Sequence, residues 1–254
     1  MIKLKSIDEI KILRAGGLRL ATILATLKKE VKPGVKTRDL DDLARELISA
    51  NGDKPAFLNY KPHGSRLAYP AALCVSVNEE IVHGIPSPRV LVEGDIVTLD
   101  LGLIHQGLFT DSAITVPVGK ISKEAAKLID VTEKSLNKAI RAVKAGGFVG
   151  DIGATVEEYI RGEGLGLVQD LAGHGVGYGV HEDPLVPNYG RRGRGEVLKP
   201  GLVIAIEPMV TLGRDDTKIL SDGFTFVTTD GSLSAHFEHT VAVTENGVEV
   251  LTAL

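Results

Sequence analysis

Two aspartates bracket a predicted β-hairpin and are the first candidates for chemistry. Asp100 follows an apolar run, and Asp111 stands beyond the segment from Leu101 to Thr110. A turn between His105 and Gln106 would make the two aspartates direct cross-strand neighbours, with Cβ atoms about 4.5–5.5 Å apart. Like charges in that position destabilise a sheet unless a proton or a cation neutralises them. In the alternative, the register slips by a residue and both aspartates are exposed, but the apolar run before Asp100 favours burial.

Two glutamates and one histidine are further candidates, because they also stand beside apolar or glycine-rich segments. Glu207 ends the apolar run that begins at Leu202, and Glu238 opens the last predicted strand. His174 lies in the glycine-rich segment 173–179, where small residues let the backbone approach closely. That segment does not lead into a helix, which excludes a dinucleotide-binding loop. Each residue alone could be a strand-end charge or an incidental histidine, but the set calls for a shared explanation.

Four carboxylates and one imidazole are ligands for a divalent metal. Without a thiolate they suit Co, Mn, Fe(II) or Zn rather than a structural zinc site, and the single cysteine, Cys74, excludes a thiolate cluster. The number of carboxylates matches two ions that share bridging ligands. Ions about 3.5–4 Å apart can hold a hydroxide between them, because they lower the pKa of water from about 15.7 towards about 7. The sequence therefore predicts a hydrolytic centre with two ions.

Two further histidines are candidates for accessory roles. His83 lies between predicted strands, and His181 follows His174 by a short segment. Either could be a plain surface histidine. Beside a metal site, they could instead donate to a carbonyl oxygen or a leaving nitrogen.

The composition excludes several other classes of protein. The chain has 254 residues, a formal net charge of −4, 4% aromatic residues and no tryptophan, so it lacks the basic surface and the stacking residues of a nucleic-acid binder. The first residues mix charged and apolar types and do not form a signal peptide. No apolar run reaches the length of a membrane span. We expect a cytoplasmic protein with no membrane association.

Helices and strands alternate in two similar blocks. Helices are predicted from Ser6 to Pro33, from Arg38 to Ala50, from Ser122 to Val143 and from Ile152 to Arg161, with strands after each pair. A shift of 112 residues superposes the second helix on the fourth, and a shift of 107 superposes Gly94–Asp100 on Gly201–Glu207. This pattern predicts an internal duplication, with a site between the two halves. The alternative is an accidental match of two helix-plus-strand segments.

The joint motif set resembles methionine aminopeptidase, type I, over nearly the whole chain. The resemblance rests on six segments of the sequence. These are Val75–Glu79 with His83–Pro86, the hairpin with Asp100 and Asp111, Gly173–Gly175, His181–Pro184, Ile206–Met209 and Glu238–Thr240. It implies the pita-bread α/β (α+β) fold, in which two helix-plus-antiparallel-sheet halves are related by a pseudo-twofold axis. We expect a single catalytic domain over residues 1–254, with halves of about 1–118 and 119–254.

The resemblance also implies an activity and a role for each site residue. The activity is removal of the initiator methionine from nascent proteins by attack of a metal-bound hydroxide on the first peptide bond. Asp100, Asp111 and Glu238 would hold the first ion, and Asp111, Glu238, His174 and Glu207 the second. Glu207 would assist proton transfer. His181 would stabilise the oxyanion and His83 would contact the scissile amide, both as substrate-binding residues.

A pocket for the methionine side chain is expected from four aromatic residues. Phe57, Tyr60, Tyr69 and Phe224 would form an apolar slot for the flexible thioether. Phe224 stands where related proteins often have tryptophan, and the segment Lys61–Ala68 is longer than in most of them. This longer loop affects the expected pocket shape and the tolerance for the second residue.

Alternatives and partners remain open at this level. An Xaa-Pro aminopeptidase or prolidase shares the fold and the five ligands but usually carries an extra amino-terminal domain. A non-catalytic relative would have lost ligands, whereas all five positions are occupied here. The expected partners are the N-terminal methionyl peptides of nascent chains, and the expected state is a monomer. The basic segment 191–194 could touch a ribosome in passing, although a short basic loop is more often just solvated.

Overall fold

The computed structural model describes residues 1–61 and 67–254. Within these ranges, pairs of helices alternate with groups of strands in the predicted order. The helices are α1 (Ile7–Glu30), α2 (Thr37–Ala50), α3 (Lys123–Ala142) and α4 (Val149–Gly162). None of the helices in the described ranges is long and apolar enough to cross a lipid bilayer.

Most of the strands join one large antiparallel sheet. The strands are β1 (Lys54–Pro55), β2 (Leu73–Val77), β3 (Glu80–Val82), β4 (Ile96–His105), β5 (Leu108–Pro117), β6 (Gly166–Leu167), β7 (Ala172–Gly175), β8 (Glu182–Pro187), β9 (Val203–Ile206), β10 (Met209–Thr211), β11 (Thr217–Ile219), β12 (Phe226–Thr228), β13 (Ser234–His236), β14 (Glu238–Thr244) and β15 (Gly247–Val250). The large sheet has the order β1-β4-β5-β14-β9-β7-β8, with β2 beside β4 and β15 beside β14. Two smaller sheets have the orders β13-β10-β6 and β11-β12-β3.

Each helix pair covers its own part of the large sheet. Leucines and isoleucines of α1 and α2 pack with buried residues of β2 and β4 in one apolar cluster. Residues of α3 and α4 pack with β9 and β14 in a second cluster. The helices are amphipathic and bury one face each, as their apolar periodicity predicts. Two cores therefore support the two halves of the sheet, and strands of both halves carry the candidate site.

The predicted repeat is visible in the geometry of equivalent residues. Helices α2 and α4 have the same length and begin 112 residues apart. The amide of Gly34 donates to the carbonyl of Leu91, and the amide of Gly146 donates to that of Leu198, both at 2.8 Å. Both glycines have positive φ angles, 95° and 79°, which only glycine adopts without strain. The turn between the two helices is thus joined in the same way, in each half, to the segment that precedes β4 or β9.

The register predicted for the central hairpin is wrong. Asp100 pairs with Ala113, and Asp111 pairs with Gly102, so the two aspartates are diagonal rather than direct neighbours. The reason is the turn, which consists of Gln106 and Gly107 with φ angles of 49° and 85°. Two consecutive positive φ angles are typical of a two-residue hairpin turn whose twist matches that of the strands. The turn therefore lies one residue later than predicted.

Helix boundaries agree with the predictions to within one residue except at two points, the end of α1 and the start of α4. Helix α1 ends at Glu30, three residues before Pro33. Helix α1 begins with the predicted capping box, in which Ser6 Oγ accepts from the Glu9 amide and Glu9 Oε2 accepts from the Ser6 amide. Helix α4 begins at Val149, three residues before the predicted start at Ile152. Asp151 accepts the Phe148 amide at 2.8 Å and caps this earlier start.

Candidate metal centre

The hairpin β4–β5 and strand β14 place three carboxylates on one face of the large sheet. Ala113 of β5 pairs with Asp100 on one side and with Glu238 on the other. Directly opposed residues project to the same face, and so do residues two apart on one strand. Asp111 therefore shares the face of Ala113. All three carboxylates are buried.

Neighbouring strands bring the remaining two candidate ligands to the same place. His174 lies in β7, and its Nε2 is 3.4 Å from Oε1 of Glu207, the residue after β9. The Nδ1 of His174 is 3.0 Å from the Gly175 carbonyl oxygen, so an Nδ1–H donated there leaves the Nε2 lone pair available to a metal. One potential ligand atom from each of Asp111, His174 and Glu238 lies within 4.8 Å of the others.

Burial and crowding raise the pKa of three of the four carboxylates, whereas neighbouring histidines lower the pKa of the fourth. Burial, partly offset by the nearby His236, raises the pKa of Asp100 to about 7. Burial and the charges of Asp100 and Glu207 raise the pKa of Asp111 well above its ordinary value. Burial and the charge of Asp111 act in the same way on the pKa of Glu238. For Glu207, burial acts upwards, but His236 and His174 outweigh it and leave the pKa lowered.

The donor set fits a divalent cation. Asp100 Oδ1, Asp111 Oδ1 and Glu238 Oε1 are buried and accept no hydrogen bond from any described residue. Buried polar atoms are nearly always paired, so three orphaned carboxylate oxygens on one face require a compensating group. A cation would fill that role and would also reverse the effect of the crowding on the pKa values.

One cavity of about 780 Å³ contains all the site residues that the sequence predicts. Its lining includes Asp100, Asp111, His174, Glu207, Glu238, His83, His181, Phe57, Tyr60, Tyr69 and Phe224. The rings of Tyr69 and Phe224 meet edge to face, with centroids 5.4 Å apart. The Tyr69 hydroxyl donates to the Gly84 carbonyl at 2.8 Å, so its ring can present an apolar surface. An aromatic wall and a carboxylate cluster thus share one cavity.

The two accessory histidines also face this cavity. His181 Nδ1 lies 2.7 Å from the Tyr60 hydroxyl, and the His181 ring meets the His174 ring edge to face at 4.4 Å. Burial lowers the pKa of His83 to about 4, and burial together with His174 lowers that of His181 to about 3. Both imidazoles are therefore neutral near pH 7 and can act as hydrogen-bond donors without a charge.

Part of the predicted Lys61–Ala68 loop lies outside the described residues. Residues 62–66 belong to that part, so the expected effect of this loop on pocket shape stays a prediction. The flanking pocket residues are described. The Asn59 amide donates to the Tyr69 carbonyl, and the Tyr69 amide donates to the Tyr60 carbonyl, both at 2.8 Å, so the two ends of the loop are tied together.

Sequence reasoning missed one histidine beside the ligands. His236 is 1% exposed, and its Nε2 lies 3.4 Å from Oε2 of Glu207. The residue stands two positions before Glu238, and side chains two apart along an extended segment share a face. The alternation of side chains along this segment could therefore have predicted that His236 lies on the same face as Glu238.

Comparison with known proteins gives the same picture. The model of metallopeptidase family M24 matches residues 11–245. The methionine aminopeptidase of Clostridium perfringens is 45% identical over 254 residues, and each chain covers all of the other. The crystal structure of a methionine aminopeptidase from Thermotoga maritima superposes with a TM-score of 0.95 at 43% identity, again with complete coverage of both chains.

A more distant neighbour is the prolidase from Pyrococcus furiosus. It superposes with a TM-score of 0.79 at 24% identity, and the match covers 99% of this chain but 65% of the prolidase. At that level of identity the likeness shows the fold alone. It agrees with the expectation that prolidases contain an additional part.

Fold and site together define a metal-dependent hydrolase with the pita-bread architecture, as the sequence predicted. The chain belongs to metallopeptidase family M24, among its methionine aminopeptidases.

Proposed function

We propose that the five clustered ligand-type side chains carry the removal of N-terminal methionine by this chain. The general activity, hydrolysis by a metal-dependent aminopeptidase acting on N-terminal peptides, follows from full-length identity to methionine aminopeptidases and from the family match. The observation that supports our assignment is the convergence of Asp100, Asp111, His174, Glu207 and Glu238 on one cavity with three orphaned carboxylate oxygens.

The proposed ligand sets divide the five side chains between two ions. Asp100, Asp111 and Glu238 would hold one ion, and Asp111 and Glu238 would bridge to a second that His174 and Glu207 complete. Support comes from the short mutual distances of Asp111, His174 and Glu238 and from the contact between His174 and Glu207. Oxygen ligands with one imidazole suit Mn, Fe(II), Co or Zn. Which of these ions is used, and whether two bind, belongs to the proposal.

The chain's own residues supply binding and proton transfer in this proposal. When bound, the divalent metal acts as a Lewis acid and supplies a nucleophilic water near neutral pH. Glu207, whose pKa is lowered, is ionised near neutral pH, so its carboxylate would accept a proton from the attacking water and return it to the leaving nitrogen. His181 would donate to the carbonyl oxygen and His83 would contact the scissile amide, both as neutral imidazoles.

The methionine side chain would occupy the aromatic part of the cavity. Phe57, Tyr60, Tyr69 and Phe224 line it, and a thioether makes favourable contacts with ring edges. The chain is proposed to act as a cytoplasmic monomer on nascent peptides, without specific nucleic-acid binding. The basic segment 191–194 stays a candidate for transient ribosome contact, but Arg192 is already paired with Glu158 at 2.6 Å.

A peptide assay with defined metals tests this assignment. Protein stripped of metal would receive Co, Mn, Fe(II) or Zn in turn and then the peptides Met-Ala-Ser and an Xaa-Pro peptide. We expect free methionine from the first peptide only, and no turnover by Glu207→Ala. Cleavage before proline alone, or full activity of Glu207→Ala, would contradict the proposal.

A further inference from the structure

His236 is a buried histidine whose ring has no hydrogen-bond partner among the described residues. Its side chain is 1% exposed, and neither Nδ1 nor Nε2 makes a hydrogen bond there. A buried imidazole without partners carries a cost of desolvation, so its presence requires a reason. The nearest charged group is the carboxylate of Glu207, with Nε2 3.4 Å from Oε2.

The backbone holds His236 firmly beside this carboxylate. Its amide donates to Thr115 Oγ1 at 2.9 Å, and the same hydroxyl donates to its carbonyl oxygen at 2.8 Å. In the small sheet β13-β10-β6, His236 pairs directly with Met209, which follows Glu207 by two residues. The position of the ring is thus fixed by two strands and by one threonine of the central hairpin.

Two imidazoles contact the two oxygens of Glu207 separately. His174 Nε2 lies 3.4 Å from Oε1, and His236 Nε2 lies 3.4 Å from Oε2. His174 lines the cavity, whereas His236 does not. His236 therefore cannot touch a substrate in the cavity and can act there only through Glu207.

We propose that His236 is a positioning residue for Glu207. In the Nε2–H tautomer, a small shortening of the 3.4 Å separation would let Nε2 donate to Oε2. That hydrogen bond would fix the plane of the carboxylate and leave Oε1 directed at the proposed metal site. Loss of a group that hydrogen-bonds to a metal ligand typically weakens metal affinity by about 10- to 100-fold. This inference rests on the proposed function, because it takes Glu207 as a ligand.

The test measures metal binding directly, without turnover. Titration calorimetry of metal-free protein with Mn²⁺, and the visible absorption spectrum of the Co²⁺ form, would compare wild type with His236→Leu, His236→Gln and His236→Asn. A glutamine amide nitrogen reaches the position of Nε2, whereas that of asparagine reaches only the position of Nδ1. We expect at least about tenfold weaker binding and an altered spectrum for the leucine and asparagine variants, and near wild-type behaviour for glutamine.

His239→Leu is the matched control. It removes a half-buried imidazole three residues away, whose Nδ1 bonds to Thr252 at 2.9 Å instead of to a candidate ligand. It should leave metal affinity unchanged.

Wild-type affinity and spectrum for His236→Leu, or equal losses for the asparagine and glutamine variants, would overturn the inference. If Glu207→Gln keeps full affinity, the proposed ligand set fails instead. If Glu207→Gln loses affinity while His236→Leu does not, only the role of His236 fails.

Discussion

The ammonium group of Lys5 lies 2.7 Å from Oε2 of Glu182, and the lysine side chain is 1% exposed. Glu182 directly follows His181, and its second carboxylate oxygen accepts the amides of Tyr178 and Gly179. The amino-terminal segment thus fastens the loop that carries His181 in the cavity wall. A side chain at Gly177 would meet Lys5, with its Cβ 2.3 Å from Lys5 Cε, so glycine permits this close passage.

Loss of the lysine should destabilise the protein substantially. Lys5→Met leaves Glu182 without its cation in a mostly buried position, and breaking a buried pair in this way costs about 3–5 kcal/mol. The free energy of unfolding in urea measures this cost. Lys11→Met is the control, because the Lys11–Asp8 pair has side chains that are 72% and 88% exposed. That variant should stay within about 1 kcal/mol of wild type, and equal losses for both would contradict the argument.

The stability of the metal-free protein should depend on pH through Asp100. Its folded pKa of about 7 lies above the ordinary value of 3.8, so the folded state holds a proton that the unfolded chain releases. The contribution of this proton to the free energy of unfolding is fully present below about pH 3.8 and is lost as the pH rises through about 7. Relative to wild type, metal-free Asp100→Asn should therefore gain on the order of 2 kcal/mol between pH 5 and about pH 8.

Urea unfolding of both proteins across this pH range, in the presence of a chelator, measures the difference. Asp8→Asn, at an exposed position of α1, provides the comparison and should show no such trend. A difference between Asp100→Asn and wild type that is constant with pH would show that Asp100 does not titrate in this window.

The carboxylates of the site could be found from sequence because of where they stand. Burying a charged residue at the end of an apolar run costs free energy unless a partner compensates it. Asp100 and Glu207 could therefore be identified as candidate site residues without knowledge of the fold. The hairpin register was predicted wrongly, yet the two aspartates were still placed on one face. A change of pairing by two residues keeps every side chain on its face, because side chains alternate with a period of two.

A turn around His105, Gln106 and Gly107 was predicted, but its centre was placed one residue too early, because tertiary contacts contribute to the register. His105 closes the hairpin opposite Leu108, and its Nδ1 bonds to Asp53 at 2.8 Å across a large sequence separation. Lys5 was missed for the same reason, since nothing near it in sequence shows that it meets Glu182. Local patterns therefore predicted the strands and the candidate ligands, and long-range contacts determined the register and the supporting residues.

The Tyr60 hydroxyl should orient His181 for catalysis. It lies 2.7 Å from Nδ1 of a neutral imidazole, so an O–H donated there places the ring proton on Nε2. Tyr60→Phe removes one hydrogen bond worth about 0.5–1.5 kcal/mol and should lower kcat/KM on Met-Ala-Ser by about 2- to 10-fold. In a His181→Ala background the same substitution should have no further effect. Tyr159→Phe is the control, because the Tyr159 ring packs under Lys138 and not in the cavity. This variant should keep the wild-type kcat/KM.

Cys74 should be unreactive in the folded protein although it borders the cavity. Burial and the charge of Asp100 raise the pKa of its thiol well above the ordinary value. The thiolate is the nucleophile, so alkylation by iodoacetamide at about pH 8 should be at least about tenfold slower in native protein than in urea. Mass spectrometry of timed samples gives both rates. Equal rates would show that the thiol is accessible and ionised.

Asp111→Asn should separate stability from function. In the metal-free protein Asp111 adds to the crowding of Asp100, Glu207 and Glu238. Burial and the charges of Asp100 and Glu207 raise the pKa of Asp111. Replacing the carboxylate by an amide of similar shape removes this repulsion. The free energy of unfolding of the metal-free variant, measured in urea near pH 7.5, should therefore be higher than that of wild type by about 1–3 kcal/mol. Wild type should gain stability when Mn²⁺ or Co²⁺ is added, because an ion bound only by the folded state shifts the equilibrium. The variant should gain little and should release no methionine. A variant that is less stable than wild type without metal, yet still stabilised by added metal, would show that Asp111 serves packing rather than cation binding.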